Sequence, residues 1–537
     1  MQNLSELQKA RLTFKPEIAK VLQDLKLAQF VESSKKEVLA DVAKSFPNIK
    51  DCSELSVTTK NKQSFGSLSL GVVFSGGQAA GGHNVITGIF DAIKALHPES
   101  RLFGFLNGPK GIIQGKYVEL SQEKLEPFRN QGGFDLIGSG RDKIETPTQF
   151  EEALKVVSGL DLDGLVIIGG DDSNTNAAFL AEFFLQKGVK TKVIGVPKTI
   201  DGDLQNERVA ISFGFDTACK IYAETIGNIS RDALSAKKYY YFVKLMGRSA
   251  SHITLECALK SEPNLALIGE EIEANGKKLS DVVSEISDLI CQRADQEKDF
   301  GTVLIPEGII EFLADVKGLI QELNKLLAKD SVQAQKLIEV EQALSESAKS
   351  CLKLMPEEIQ LQLLMDRDSH GNVQVSKIET ERLFIALVQE ELKKRKEKGS
   401  YKGKFSPQPI FCGYEGRAAL PSNFDATYCY NLGRLAALLI AHKKTGYMAA
   451  LTNLHQKVQN WEGFAVPLAS LIHFEERSGK QKAVIKKELV DLNGKVFKIF
   501  ALKRDAWRLQ DSLLQSGPIQ FFGLKEITDT VPFTISL

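Results

Sequence analysis

Two stretches constrain this chain most: LVIIGGDDSNTNAA at 165–178 and VIGVPKTIDGDL at 193–204. Each opens with an apolar run rich in valine and isoleucine, the pattern of a strand buried on both faces of a parallel sheet, and each breaks into glycine or proline followed by aspartates. In open α/β sheets ligands gather outside the carboxyl ends of parallel strands, so Asp171, Asp172, Asp201 and Asp203 are expected to converge with Lys198 on one crevice. A helix-capping role for Asp171 and Asp172 would account for GGDDS taken alone. PKTIDGDL asks for more. Thr199, Asp201 and Asp203 stand at alternate positions around Ile200, and alternate residues of an extended segment share a face. Packing has no use for three polar groups there, whereas a site that grips a hydroxyl and a metal-bound phosphate does.

A chain of 537 residues with 43% hydrophobic content can bury more than one core, and roughly 100 to 200 residues per domain gives two or three domains. Lys plus Arg equals Asp plus Glu at 68 each, which gives no reason to expect nucleic acid or an anionic membrane as partner. The seven cysteines are widely spaced and form no CxxC pair, as expected of reduced thiols in a cytoplasmic protein without a structural zinc site. MQNLSELQKARLTFKPEIAKVL carries charges throughout and no run of 18 apolar residues occurs, so neither a signal peptide nor a membrane span is expected. Leu4, Leu7, Leu12, Ile18, Val21, Leu22 and Leu25 at helical spacing predict an amphipathic helical extension over residues 1–66, packed on the core or on a second subunit.

LSLGVVFSGGQAAGGHN at 68–84 predicts a strand, a glycine-rich turn and a helix, an arrangement that brings backbone amides close to a phosphate. It matches neither the P-loop nor the dinucleotide GxGxxG spacing. GSGR at 138–141 presents Arg141, and a guanidinium can donate two parallel hydrogen bonds to a phosphoryl group. KKYYYFVKLMGR predicts a strand ending in Met246, Gly247 and Arg248, and TVLIPEG another ending at Glu307. Tyr414 and Arg417 are three residues apart and face one ligand if a helical turn starts there. The charged segment at about 311–405 reads as an inserted helical hairpin with a linker. Within it DRDSHG at 366–371 begins like a calcium loop, but Lys377 stands where an EF-hand needs its bidentate glutamate, which rejects that reading. Residues 427–537 are expected to form a helix around YNLGRLAALLIAHKKTG and strands such as KVFKIFAL, with no chemistry assigned.

The joint occurrence of GGDD, PKTIDGD, MGR, PEG and YEGR, in this order between about residues 70 and 450, resembles the phosphofructokinase family, and more narrowly its diphosphate-dependent long-type members. The resemblance implies an α/β fold of two similar doubly wound, Rossmann-like domains facing a cleft. Residues 67–212 would bind diphosphate and Mg²⁺, 213–426 fructose 6-phosphate, and 427–537 would return to the core. The implied reaction is reversible transfer of a phosphoryl group from diphosphate to the 1-hydroxyl of fructose 6-phosphate. By resemblance Asp201 is the base, and Asp171, with Asp203 through water, the Mg²⁺ ligand. Lys198, Arg141 and Arg248 offset charge, and Gly77 and Asp172 line the diphosphate pocket. Thr199, Ile200, Asp201, Met246, Gly247, Arg248, Glu307, Tyr414, Glu415, Gly416 and Arg417 take the sugar phosphate. Lys238 and Tyr239 match positions that act in a neighbouring subunit, implying a homodimer.

ATP-dependent relatives carry glycine where Asp172 and Lys198 stand. A carboxylate about 4 Å from a phosphate charge costs roughly 4 kcal/mol at an effective dielectric of about 20, so Asp172 would exclude the nucleotide's inner phosphate. Ala80 stands where the family commonly has proline. An ATP-dependent kinase and a non-catalytic regulatory subunit are the alternatives; the retained carboxylates Asp171, Asp201 and Asp203 oppose the second.

Overall fold

The computed structural model describes residues 4–327, 337–365, 373–477, 480–515 and 531–536. They divide into two compact units, the first from the described residues within 1–218, 414–488 and 519–536, the second from those within 219–413 and 489–518. In chain order the strands are β1 (Ala28–Ser34), β2 (Glu54–Thr59), β3 (Ser69–Phe74), β4 (Arg101–Phe105), β5 (Tyr117–Glu119), β6 (Gly164–Gly169), β7 (Lys192–Pro197), β8 (Tyr239–Leu245), β9 (Leu265–Ala266), β10 (Phe300–Pro306), β11 (Pro407–Cys412), β12 (Tyr447–Thr452), β13 (Glu462–Pro467), β14 (Ile472–Arg477) and β15 (Lys480–Ile485).

The first unit holds a nine-stranded sheet in the order β1-β2-β13-β12-β7-β6-β3-β4-β5. Its middle, β12-β7-β6-β3-β4, is parallel, and the flanking pairs are antiparallel. Every residue of β6 is buried, as a strand covered on both faces requires. From β3 the chain winds outward to β4, then returns to start β6 on the other side. The order therefore reverses between β3 and β6, the place where α/β sheets bind ligands. Helices Gly82–Leu96 and Asn423–Ala441 cross closely because each offers a glycine. A Cβ on Gly88 would strike the Tyr430 carbonyl, and one on Gly433 the Val85 carbonyl.

The second unit holds a fully parallel sheet, β11-β8-β10-β9, whose order reverses between β8 and β10. Both units are thus doubly wound α/β folds, as the sequence implies.

Several local expectations are corrected. Residues 4–66 are not wholly helical: short helices Glu6–Leu12, Lys20–Gln23 and Ala40–Ser45 alternate with β1 and β2, which reach the main sheet through β13. The leucine stripe is used in part, since Leu22 and Leu25 are buried while Leu7 is exposed. Asn431 and Arg434 hold this segment to its own unit, by the Ala19 N–H at 2.9 Å and the Leu22 carbonyl at 2.8 Å. The insertion is more than a hairpin and linker. Helices Ala314–Leu327, Leu337–Ala343, Glu346–Leu354, Glu357–Met365 and Thr380–Glu397 contribute Leu319, Val340, Leu352, Leu363 and Phe384 in turn to the same core as Phe242 and Val303. The DRDSHG stretch lies outside the described residues. KVFKIFAL is part of helix Lys495–Leu509 and not a strand, because Phe497, Phe500 and Trp507 fall on one buried helical face. The chain leaves the first unit inside helix Phe215–Ala236 and re-enters it at Tyr414, so residues 414–426 join the first unit. Asp425 ties them there, accepting from the Gly214 N–H at 3.1 Å and the Thr217 N–H at 2.9 Å.

Candidate active site

At the reversal point of the first unit, the turns after β3 and β6 are joined. Ser173 Oγ donates to Ser75 Oγ at 2.8 Å, the Gly76 N–H to the Gly140 carbonyl at 2.8 Å, and Ser139 Oγ to the Gly76 carbonyl at 2.6 Å. Three cations converge on this loop. Lys198 Nζ donates to the Gly77 carbonyl at 2.5 Å, and Arg417 approaches the Gln78 carbonyl at 3.5 Å. A Cβ on Gly77 would lie 2.5 Å from an Arg417 guanidinium nitrogen and 3.8 Å from one of Arg141. Any other residue there would push the end of the Arg417 side chain aside, so glycine allows this close approach. A loop flanked by a lysine and two arginines suits a polyanion.

Lys198 is buried, and its pKa is pushed down to about 7, by burial first and by Arg417 and Arg141, against the pull of Asp201 and Asp171. Its N–H donates to the Gly169 carbonyl at 2.9 Å, continuing the β6-β7 pairing by one residue. Beyond it the segment does not stay extended, which corrects the alternating-face expectation. The Asp201 N–H folds back to Thr199 Oγ1 at 3.1 Å, and Gly202 takes a positive φ of 75°. Ile200, Asp201 and Asp203 are all buried, and Thr199 is half-buried.

The aspartates of GGDD lie in the first turn of helix Asp171–Gln186, but neither caps it; Gly170 is the N-cap residue and no side chain bonds there. Asp172 meets Lys143 at 3.2 Å. Asp171 and Asp203 share Lys487, whose ammonium is 3.7 Å from the first and 3.3 Å from the second. The Asp203 pKa is pushed up to about 6 by burial, with Lys487 opposing and the charges of Asp201 and Asp171 adding to it. Among the described residues no three carboxylate, imidazole or thiol side chains form a ready-made metal cage. Mg²⁺ does not require one, since it takes one or two carboxylates and completes its shell with water and phosphate oxygens. The oxygen donors of Asp171 and Asp203, crowded enough to need a cation, fit it.

In the second unit the reversal point brings MGR and PEG together. Glu307 is buried, accepts from the Gly247 N–H at 3.2 Å, and donates its own N–H to the Leu245 carbonyl at 2.8 Å. Met246 is buried and Arg248 exposed. Lys238 and Tyr239 stand at the opposite end of β8, the lysine ammonium 4.7 Å from the tyrosine ring centre. Seven strand residues span about 20 Å, so within one chain this pair does not meet MGR. Tyr414, Glu415, Gly416 and Arg417 belong to the first unit, with Tyr414 72% exposed. Arg417, expected at the 6-phosphate, lies against the loop at Gly77 and Gln78.

Lys487 and Lys143 were not singled out by the sequence. Lys143 is two residues from Arg141 in the same turn, which was the available signal. Lys487 had none, because it is delivered by the β14-β15 hairpin from almost 300 residues further on.

The sequence profile described as Phosphofructokinase matches residues 69–440, and the chain belongs to the phosphofructokinase family. It is 53% identical over 478 residues to a protein of Treponema pallidum (strain Nichols) named pyrophosphate–fructose 6-phosphate 1-phosphotransferase, covering 88% of this chain and 83% of that one. A protein of the same name from Porphyromonas gingivalis is 47% identical over 544 residues, covering 99% and 98%. Among solved structures, pyrophosphate-dependent phosphofructokinase from Nitrosospira multiformis superposes with a TM-score of 0.55 over 87% of this chain and 96% of that one, at 15% identity, a likeness of fold.

Proposed function

We propose that this chain reversibly transfers a phosphoryl group from inorganic diphosphate to the 1-hydroxyl of fructose 6-phosphate, giving fructose 1,6-bisphosphate and phosphate. The observation that carries the reading is the switch-point loop at Gly77, where Lys198, Arg141 and Arg417 converge beside Asp171 and Asp172. The names of the relatives at 47% and 53% identity support diphosphate as donor.

In this reading Asp201 accepts the proton of the 1-hydroxyl as its oxygen attacks the terminal phosphorus. The bond to the bridging oxygen breaks, and the departing phosphate keeps that electron pair. Lys198, Arg141 and Arg248 offset the charge on the transferring group, the main source of rate in phosphoryl transfer. Asp171, with Asp203 through water, would hold Mg²⁺, which neutralises the diphosphate oxygens when bound. Thr199 and Ile200 position the sugar, Glu307 accepts hydrogen bonds from its hydroxyls, and Met246, Gly247, Arg248, Tyr414, Glu415 and Gly416 line the rest of the fructose 6-phosphate site. The place of Arg417 against Gly77 adds it to the cations around the diphosphate. Seven free thiols fit a reducing, cytoplasmic setting, and among the described residues no helix is long and apolar enough to cross a membrane.

Purified protein with fructose 6-phosphate and Mg²⁺ is expected to turn over with diphosphate and not with ATP; turnover with ATP alone would refute the reading. Asp172→Gly removes the carboxylate held by Lys143 and should admit ATP, with measurable ATP turnover or competition against diphosphate. No gain of either would remove the exclusion role.

The separation of Lys238 and Tyr239 from MGR along β8 supports their acting in a second copy of the chain. Mixing inactive Lys238→Ala and Asp201→Ala chains is then expected to restore partial activity, since one site of each mixed dimer is intact. Verified mixed dimers without activity would contradict this.

A further inference from the structure

We propose that Lys487 is a built-in competitor at the metal carboxylates: its ammonium and the divalent cation contend for the same oxygens of Asp171 and Asp203. The inference rests on the reading of Asp171 as metal ligand and goes beyond it by assigning a role to the C-terminal strap. Lys487 Nζ is 3.3 Å from Asp203 Oδ2 and 3.7 Å from Asp171 Oδ2, so one cation spans both groups.

The strap that carries it is fastened to the backbone of each partner. On one side the Ile485 N–H donates to Thr175 Oγ1 at 3.1 Å, and that hydroxyl donates to the Asp171 carbonyl at 2.9 Å. On the other the Glu488 N–H donates to the Asp203 carbonyl at 2.8 Å. These bonds fix the Cα of Lys487 and leave its four-carbon stem to place the charge. The side chain is 25% exposed, so the ammonium can leave the carboxylates without loosening the strap. A divalent cation draws on the same oxygens more strongly than a single ammonium, and each must release what the other takes. The ammonium holds the carboxylate pair in place, tempers its affinity for the bare ion, and is released beside an anionic substrate when the metal enters.

The test is Mn²⁺ binding in the absence of diphosphate, followed by the electron paramagnetic resonance signal of the free ion, on wild type and on Lys487→Met, Lys487→Gln and Lys487→Arg. The two neutral variants are expected to bind Mn²⁺ about fivefold tighter, the scale of a partly exposed ion pair, and the arginine variant to stay within about twofold of wild type. The neutral variants should also show a raised KM for diphosphate with that for fructose 6-phosphate unchanged. Unchanged or weaker Mn²⁺ binding in the neutral variants would overturn the proposal, as would an arginine variant that behaves like the methionine one. A merely structural tether predicts a lower Tm with no change in Mn²⁺ affinity, and the glutamine variant decides the matter if the methionine variant does not fold. Wild-type Mn²⁺ binding that survives Asp171→Ala would remove the underlying metal assignment, a separate failure.

Discussion

Asp201→Asn is expected to lower kcat by on the order of 10² to 10⁴ while leaving diphosphate affinity nearly intact. The amide is the same size as the carboxylate but cannot take a proton from the sugar hydroxyl. The bend that presents residue 201 is held without its own side chain: the Asp201 N–H donates to Thr199 Oγ1 at 3.1 Å and Ser212 Oγ donates to the Thr199 carbonyl at 2.9 Å, and both bonds survive the substitution. A loss confined to kcat therefore reports chemistry and not misfolding. Steady-state kinetics together with calorimetric titration of diphosphate separates the two, and near-normal turnover by the asparagine variant would sink the base assignment.

Lys198→Gly is the second large effect, expected to depress kcat by on the order of 10² to 10³ through loss of a charge that stabilises the transferring phosphoryl group in a site shielded from water. Its signature is in the pH profile. The Lys198 pKa falls from its usual 10.5 to about 7, so the free site carries this charge below about pH 7 and loses it above. The kcat/KM for diphosphate should accordingly fall as pH rises through 7, whereas kcat should hold to higher pH, because bound diphosphate favours the charged form. Stability runs the other way. Between about pH 7 and 10.5 the unfolded chain binds the proton that the folded chain has released, so folding strengthens with rising pH across that window, and Lys198→Gly should flatten the slope. An alkaline limb in kcat/KM that persists unchanged in Lys198→Gly would assign it to another group.

What could be read from the sequence was what lies within a few residues of a strand end. LVIIGG and VIGVP announce β6 and β7 because burial on both faces leaves no polar position, and the residues after them are forced into the reversal point by the sheet's winding. The alternation in PKTIDGD predicts an extended segment, but the glycine between its aspartates lets the backbone bend. No local pattern announces β1 and β2, because AQFVESS and ELSVTT are short and half-polar, and their place in the sheet is decided by β13 some 400 residues away. KVFKIFAL carries the β-branched and aromatic residues of a strand, yet the burial of Phe497, Phe500 and Trp507 on one side favours a helix. The position of Arg417 against Gly77 depends on contacts that span more than 300 residues, and no local pattern could announce it.

The first unit is interrupted in sequence by the second, and this bears on how the protein is made. On a ribosome β7 emerges by residue 197, but its neighbour β12 begins only at Tyr447. At about 5 to 20 residues per second, the roughly 250 intervening residues take on the order of 10 to 50 s to synthesise. For that interval VIGV presents an open edge of unpaired amides and carbonyls, with only β6 beside it, and such an edge invites pairing with another nascent chain. Recovery of soluble enzyme should then depend on how fast translation runs relative to self-association, a constraint set by chain topology and untouched by any change at the catalytic residues.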